Sequence, residues 1–211
     1  MLTLYDYPMA PSPRRARILL AEKGAPVETI TIDLRANEQL SDAYRAVNPR
    51  CTVPALRLED GTVLTDNAGI AAYLEARYPE PALMGRSALE KAEIASWNSR
   101  IELEGFLAIA EALRNSAPAM KDRALTGAVN YAQIPELAQR GRERAERFVA
   151  ELDAHLAQRR FIATDSFTLA DISAVVAIDF ARVIRIKPGP STPHLLRWRE
   201  ALNARTSISA G

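Results

Sequence analysis

Three short segments of the sequence place polar groups where a predicted strand or helix begins. Ser12 follows a proline-rich loop and precedes a predicted helix, and Asp66 and Asn67 precede another. Val53 stands before Pro54 at the start of a predicted strand. A hydroxyl at a helix start can donate a hydrogen bond to an anion, and the free backbone N–H groups there attract a carboxylate. These residues suggest that a small ligand is bound by local charges and backbone groups.

The elements that would position these groups alternate between strands and helices in residues 1–78. Period-two alternation and β-branched residues predict strands, and the first pair of strands with the helix between them forms a βαβ unit with a parallel pair. Gly24 ends the first helix, and Asp60–Gly61 suits a tight hairpin turn. The predicted strands are residues 2–5, 27–34, 55–58 and 62–64, and the predicted helices are residues 14–23, 39–47 and 68–77.

After Tyr78 the pattern indicates helices only. Prolines mark a linker at residues 79–86, and residues 87–211 are predicted to form a separate all-helical domain. Two long amphipathic helices are expected, at residues 87–116 and 135–159. The second carries four arginines that are interpreted as a solvated polar face: Arg140, Arg142, Arg144 and Arg147.

The sharpest local signal in the helical part is a helix start. Thr168 and Asp171 have the spacing of a capping box, and Phe167 with Ile172 has the spacing of a hydrophobic staple. The helix that follows, residues 172–184, is apolar around most of its girth. We therefore predict that it is the buried core helix and that this motif serves folding rather than chemistry.

Composition and charge exclude several classes of protein. The chain has 211 residues and a formal net charge of +1, so no overall field attracts nucleic acid or an anionic membrane. The single Cys51 cannot form an internal disulfide and is expected to be a small buried apolar group, and with two distant histidines it makes a metal site improbable. No signal peptide or membrane span is recognised, and a cytoplasmic location is expected.

Five motifs occur in the order and spacing of a known family. They are Arg15-Ala16-Arg17, Asn-Pro-Arg-Cys-Thr-Val-Pro-Ala-Leu at 48–56, Leu-Thr-Asp-Asn at 64–67, Ile-Ala-Ala-Tyr-Leu at 70–74, and Thr-Leu-Ala-Asp at 168–171. Over essentially its whole length the chain resembles the cytosolic glutathione transferases, in their bacterial Ser- or Cys-type branch with an atypical active-site loop. The resemblance implies a thioredoxin-like α/β domain of order βαβ-α-ββα at residues 1–78, followed by an all-α domain.

The resemblance also implies a binding site for glutathione. The bond before Pro54 is cis in this family, which leaves the backbone of Val53 to pair with the cysteinyl residue of glutathione as a strand would. Asn67 would bind the γ-glutamyl carboxylate and Asp66 the ammonium group, although one of the two could simply cap the helix. Gln39 matches a position that contacts the glycyl end in relatives.

The residue that activates the thiol is less clearly marked. In the Ser and Cys branches it stands where this chain has Ala10, so the pattern departs from the family here. Ser12 is the nearest hydroxyl and is the candidate for stabilising the thiolate. It also has an alternative role as helix N-cap, with Pro13 in the first helical position. Tyr5 and Tyr7 are further candidates, because other branches use an early tyrosine.

The resemblance implies that glutathione is a co-substrate, without a metal, and that its thiolate is conjugated to a hydrophobic electrophile by a homodimer. Two alternatives stay open: a glutathione-dependent isomerase or dehalogenase, and a non-catalytic binding or interaction module, which Ala10 favours. Trp97 and Phe106 are also compatible with a place in the core. The residues expected to border the electrophile are Met9, Ala10, Trp97, Arg100 and Glu104.

Overall fold

The computed structural model of the chain describes residues 1–210, and these residues form two compact units. One unit contains Met1–Pro81 and Leu125–Asn130, and the other contains Ala82–Ala124 and Tyr131–Ala210. The first of these segments ends at Pro81, which lies within residues 79–86, the linker predicted from the sequence. Residue 211, with which the predicted helical domain ends, lies outside the described residues.

The first unit is a four-stranded sheet with helices, in the order predicted. The sheet order is β2-β1-β3-β4, with β1 and β2 parallel and the other two pairs antiparallel. The predicted parallel pair and the hairpin are therefore confirmed. The strands are β1 (Leu2–Asp6), β2 (Val27–Thr31), β3 (Ala55–Arg57) and β4 (Val63–Leu64), and the helices are α1 (Pro11–Glu22), α2 (Asp42–Arg45) and α3 (Asn67–Arg77).

Helix α1 begins three residues before the predicted start at residue 14, because its prolines fit the first turn rather than breaking it. The N-cap is Ala10, with extended backbone, and Pro11 follows in the first helical position. N–H groups in a first turn have no partner within the helix, so losing them to proline costs little there. The interpretation of Ser12 as the N-cap is therefore wrong. Ser12 lies inside the first turn.

The predicted helix at residues 39–47 is broken in two. A 3₁₀ turn spans Glu38–Leu40, and α2 begins only after Ser41, whose hydroxyl accepts a hydrogen bond from the N–H of Tyr44 at 3.2 Å. A serine in this position competes with a continuous helix by capping a new one. The segment from β2 to β3 is therefore a series of short turns.

The second unit consists of helices, as predicted, with an interruption in the first long one. A π-helical segment, Ile101–Phe106, separates two α-helical parts of the predicted helix 87–116. Two C-terminal helices are present that the sequence analysis did not predict. The helices are α4 (Ala88–Arg100), α5 (Leu107–Ser116), α6 (Pro135–His155), α7 (Leu169–Phe180), α8 (Pro193–Ala201) and α9 (Thr206–Ala210). None of the helices within residues 1–210 combines the length and the apolar character that crossing a membrane requires.

The arginine face of α6 is more than a solvated surface. Arg140 pairs with Glu111 at 2.5 Å, and Arg147 pairs with Glu104 at 3.1 Å, so both connect α6 to the preceding long helix. The two helices approach closely: a Cβ built on Gly141 would lie 2.6 Å from the backbone of Ala108. Close approach brings the arginines within reach of the opposite glutamates, which periodicity within one helix could not reveal.

Helix α7 is buried, and its predicted capping box is present. The fully buried carboxylate of Asp171 accepts hydrogen bonds from the Thr168 N–H and hydroxyl, the Ile162 N–H and the Trp198 indole, all at 3.0–3.2 Å. Burial nevertheless raises the pKa of Asp171 to about 6. Asp171 therefore connects the start of α7 to Trp198 of α8 and to Ile162 in the loop that precedes α7.

We predict that Asp171→Asn destabilises the fold and changes its pH dependence. Asparagine replaces one acceptor oxygen with a donor, so Thr168 loses its partner and the free energy of unfolding should fall by about 2 kcal/mol. Because the folded-state pKa lies above the unfolded value, stability from this carboxyl is present at low pH and is lost as pH rises through about 6. The deficit of the variant should therefore be about 1 kcal/mol larger at about pH 5 than at about pH 7.

Urea unfolding at these two pH values tests this prediction. Asp165→Asn is the matched control, since Asp165 is an exposed carboxylate in the same loop. A deficit that is equal at both pH values, or larger at the higher one, would contradict the account.

Candidate functional site

The strand register brings four segments of the first unit to one end of the sheet. β1 and β2 are parallel, and Asp6 pairs with Thr31 at their carboxyl ends. β3 is antiparallel to β1, so its first residue, Ala55, pairs with Tyr5. β4 is antiparallel to β3, and its last residue, Leu64, lies beside the start of β3. The segments that carry Ser12, Gln39, Val53 and Asp66 therefore leave or enter the sheet at the same end.

The loop between β1 and α1 is held by an ion pair. The guanidinium of Arg17 lies 2.5 Å from the buried carboxylate of Asp6 and donates a second hydrogen bond to the Pro8 carbonyl at 3.1 Å. The N–H of Ala10 donates to the Tyr7 carbonyl at 2.9 Å, which closes a turn. This loop has a defined path up to the start of α1.

Ser12 presents two donors at that helix start. The flanking prolines have no N–H, and the N–H of Arg14 donates to the Ala10 carbonyl at 3.4 Å. The first turn therefore offers only the Ser12 N–H to an outside acceptor. The Ser12 hydroxyl oxygen accepts a hydrogen bond from the Arg15 guanidinium at 3.5 Å, which leaves the hydroxyl proton to donate elsewhere.

The other loop candidates differ in their surroundings. Tyr5 is buried, with its ring edge to that of Tyr44 at 5.9 Å, so it belongs to the core. Tyr7 is half-buried, and Met9 is exposed beside it. Of the three hydroxyl residues near this loop, Ser12 is the one at the helix start.

The backbone of Val53 is presented by a loop that two side chains hold. The Tyr44 hydroxyl and the Asn48 amide both donate to the carbonyl of Thr52, each at 2.7 Å. The Val53–Pro54 bond is cis, as expected. Within residues 1–210, no hydrogen bond engages the backbone of Val53. Its N–H and C=O are therefore available to an extended ligand.

Tyr44 and Asn48 support the candidate site, and no role for either was predicted from the sequence. Both are buried, and burial raises the pKa of Tyr44 to about 12, so its hydroxyl stays protonated and donates. Asn48 is completely inaccessible and also accepts from the Arg50 N–H at 3.0 Å. A polar residue between Val47 and Pro49 resembles a helix stop, and this concealed its second role.

Asp66 and Asn67 lie at the N-terminus of α3. One oxygen of Asp66 accepts a hydrogen bond from the Gly69 N–H at 2.8 Å, so Asp66 is the N-cap. The side chain is exposed, and no second partner is recorded for it among the described residues. Asn67 follows in the first helical position and is half-buried. Capping therefore occupies one carboxylate oxygen of Asp66 and leaves the other oxygen available to a ligand.

Gln39 is buried with an unsatisfied group. Its side chain is 6% exposed, and its carbonyl oxygen Oε1 has no hydrogen-bond partner in the described part of the chain. A buried acceptor without a donor costs free energy. A ligand that supplies an N–H would remove this cost.

Cys51 lies in the loop before Val53. It is buried, as expected, and its sulfur lies 3.7 Å from the Pro49 carbonyl. Within residues 1–210, no three His, Cys, Asp or Glu side chains are grouped so that they could hold a metal ion.

The residues of the helical unit that are predicted to border the electrophile all contact helix α6. The Trp97 ring lies 4.2 Å from that of His155, and Arg100 pairs with Glu151 at 2.6 Å. Glu104 pairs with Arg147. Phe106 is buried and stacks on Phe180, which supports the core interpretation for that residue. Of these predicted residues, Arg100 and Glu104 line a cavity of about 510 Å³, together with Ser96, Ser99, Leu103, Arg147 and Glu151.

Two family descriptions match the chain. Residues 10–77 match the N-terminal domain of glutathione S-transferase, and residues 117–206 match its C-terminal domain. The chain belongs to the glutathione S-transferase family. The family assignment and the fold class expected from the sequence are thus confirmed.

Individual glutathione S-transferases and a related enzyme agree with this assignment. The chain is 31% identical to Glutathione S-transferase 2 of Saccharomyces cerevisiae over 98% of its own length and 88% of the relative. It superposes with a TM-score of 0.87 on the crystal structure of a glutathione S-transferase domain-containing protein from Marinobacter aquaeolei VT8, at 35% identity over 98% and 99% of the two chains. A maleylacetoacetate isomerase of Pseudomonas aeruginosa is 39% identical over 43% of this chain and 44% of the isomerase.

We predict that Tyr44→Phe loosens the loop before Val53. The variant removes one of the two donors to the Thr52 carbonyl, which should lower the free energy of unfolding by about 1 kcal/mol. Tyr73→Phe is the matched control, because Tyr73 is half-buried in α3 and its hydroxyl makes no hydrogen bond to any other residue in the range 1–210. Urea unfolding of both variants decides the point, and equal stabilities would contradict a role for the Tyr44 hydroxyl.

Proposed function

We propose that this chain is a glutathione transferase that binds glutathione at the sheet end described above, stabilises its thiolate and conjugates it to a hydrophobic electrophile. The observation that carries the proposal is the backbone of Val53, which is held in place and has no partner within residues 1–210. In a member of this family, an extended tripeptide is the ligand that fits such a strand-like edge.

The two ends of glutathione match the groups on either side of Val53. The γ-glutamyl end carries an ammonium group for the carboxylate of Asp66, and a carboxylate for Asn67 and the N-terminus of α3. The glycyl end carries an amide N–H, and the buried Oε1 of Gln39 lacks a donor of that kind. Pro54 shapes the edge between them. These contacts orient the ligand, so its sulfur is proposed to lie at the start of α1.

At that position Ser12 is proposed to stabilise the thiolate. Its hydroxyl and its N–H both donate, and the Arg15 guanidinium occupies the hydroxyl oxygen. Lowering a thiol pKa by about two units requires about 2.7 kcal/mol. A hydrogen bond to a charged group supplies about 1.5–3 kcal/mol, and a helix N-terminus supplies about 0.3–1 kcal/mol more. The sulfur then attacks the electrophilic carbon, and the leaving group departs with its electron pair.

The electrophile and the assembly are also proposals. Met9 and Ala10 from the loop before α1, with Trp97, Arg100 and Glu104 from the helical unit, remain the proposed electrophile contacts. Trp97, Arg100 and Glu104 also contact α6, so each has a second role in packing two helices together. A homodimer is proposed from family membership.

A second candidate function is glutathione-dependent isomerisation. The similarity to a maleylacetoacetate isomerase falls on less than half of this chain, but its identity is higher than that to the full-length transferase relative. An isomerase would use the same glutathione contacts and return the cofactor unchanged. Assays of conjugation and of cis–trans isomerisation of an unsaturated diketo acid separate the two functions.

Retention on immobilised glutathione, with elution by free glutathione, tests the binding claim directly. A protein that flows through unretained would contradict both candidate functions. Retention with neither conjugation nor isomerisation would favour a binding module.

We predict that Ser12→Ala slows conjugation of a chloronitroaromatic electrophile at neutral pH. Without the hydroxyl donor the thiolate is less stable, so the pH–rate profile should shift upward by about one unit and the rate near pH 7 should fall about ten-fold. Rates measured from about pH 6 to about pH 9 provide the comparison.

Tyr7→Phe is the companion variant for this test, since Tyr7 is the other accessible hydroxyl of the loop. Its profile should match that of the wild type. A shift in Tyr7→Phe but not in Ser12→Ala would assign thiol activation to Tyr7 instead.

We predict that Asp66→Asn weakens glutathione binding without weakening the fold. Asparagine caps a helix about as well as aspartate, so the free energy of unfolding should change by less than about 0.5 kcal/mol. Loss of the charge opposite the ammonium group should raise the dissociation constant about ten-fold. Calorimetric titration with glutathione measures this.

Asp60→Asn serves as the control, because it removes an exposed carboxylate from the hairpin turn of the same unit. Its affinity should equal that of the wild type. If Asp66→Asn also binds normally, Asp66 serves only as the cap.

A further inference from the structure

The long helix of the second unit contains a turn with one extra residue. The N–H of Leu107 donates to the carbonyl of Glu102, five residues back, at the end of the π-helical segment Ile101–Phe106. In a regular α-helix the N–H of Leu107 would instead pair four residues back, with the carbonyl of Leu103. The carbonyl of Leu103 is therefore passed over by the helix. Such π turns are frequent at functional sites.

Arg144 supplies the missing donor from α6. Its Nη2 lies 2.6 Å from the Leu103 carbonyl oxygen. The same guanidinium reaches two carboxylates, Glu104 within the turn at 3.7 Å and Glu111 in α5 at 3.5 Å. Its side chain is 23% exposed. One planar group thus donates to the carbonyl that the π turn leaves without an intrahelical partner and pairs with one acid within the turn and one after it.

The neighbouring arginines of α6 do not make this contact. Among the residues that the structure describes, Arg140 pairs with Glu111 alone, and Arg147 pairs with the carboxylates of Glu104 and Glu151. Both are about 60% exposed, with values of 59% and 61%. Arg144 is the arginine of this face that contacts the backbone of the turn.

The extra residue changes which side chains α5 presents. One residue corresponds to about 100° of rotation in an α-helix, so everything after the turn depends on whether the turn is kept. With the turn in place, Gly105 faces the ring of Phe148, 3.0 Å from where a Cβ would lie, and Leu107 is exposed. Glu104 remains beside the cavity. A regular α-helix would move these groups relative to Arg100.

We propose that Arg144 is a positioning residue that stabilises the π turn and thereby places Glu104 and Leu103 for the second substrate. This inference rests on the proposed function, in which Arg100 and Glu104 contact the electrophile. Arg144 itself does not contact the substrate; it acts through the backbone of Leu103 and the carboxylate of Glu104.

Steady-state conjugation of a chloronitroaromatic, combined with hydrogen exchange, tests the proposal. Arg144→Met should raise KM for the electrophile about five-fold and leave KM for glutathione within about two-fold of the wild-type value. Amide exchange in residues 101–110 should accelerate about ten-fold. A variant that only loses stability would affect both substrates or neither.

Arg140→Met is the control, because it removes an arginine of the same helix that shares Glu111 but does not reach the turn. It should change neither KM nor the exchange of residues 101–110. If Arg144→Met does not fold, Arg144→Lys replaces it, since lysine keeps the charge but not the planar set of donors. The same split between the two KM values is expected.

Equal behaviour of the Arg144 and Arg140 variants, or equal increases in both KM values, would overturn the inference. So would faster exchange with an unchanged KM for the electrophile. A wild-type protein that neither binds nor conjugates glutathione would instead refute the proposed function, while the exchange comparison would still report whether Arg144 holds the turn.

Discussion

The carbonyl oxygen of Thr52 is the acceptor on which the candidate site depends. Two buried side chains, Tyr44 and Asn48, converge on it at 2.7 Å, and the next residue in the chain is Val53. With that carbonyl held, the backbone of Val53 is placed at the end of the sheet and has no hydrogen-bond partner among residues 1–210. Exposed backbone groups usually pair or are solvated, so a fixed and unpaired edge is well suited to an extended ligand.

The same end of the sheet brings helix N-termini next to this edge. α1 and α3 both start there because the strands that precede them, β1 and β4, finish there. Each start supplies a favourable dipole for an anion and at least one free N–H, which in α1 is that of Ser12. Capping occupies one carboxylate oxygen of Asp66, so the other oxygen is left for the proposed contact with an ammonium group. The near-zero net charge of the chain is compatible with such local recognition.

Most of the fold could be predicted because its elements are encoded locally. Alternation, the Asp60–Gly61 turn and the capping box at Thr168 each indicate an element within a few residues. The start of α1 could not be predicted from its prolines. A proline breaks a helix in the interior but is tolerated in the first turn. The π turn at Ile101–Phe106 was not predicted for another reason: its Leu103 carbonyl is bound by Arg144 of α6, which lies 41 residues further along the chain.

The site was predictable only where a short motif carries it. Val53, Asp66 and Asn67 lie in motifs that the family resemblance identifies, and their roles remain proposals. Tyr44 and Asn48 act through hydrogen bonds to a loop that follows them, and a single sequence does not display such bonds. The contact of Arg144 with the Leu103 carbonyl was not predicted either, because a run of arginines on one face is typical of a solvated helix.

The proposed function requires two properties of the chain: it binds glutathione, and it stabilises the thiolate of the bound ligand. The ultraviolet absorbance of the thiolate, followed as a function of pH in a difference spectrum of the complex, measures both at once. We expect the pKa of the bound thiol to lie at least about one unit below that of an ordinary cysteine thiol, which is roughly 8.5. A bound thiol that titrates at the value of free glutathione, or no difference signal at saturating ligand, would contradict it.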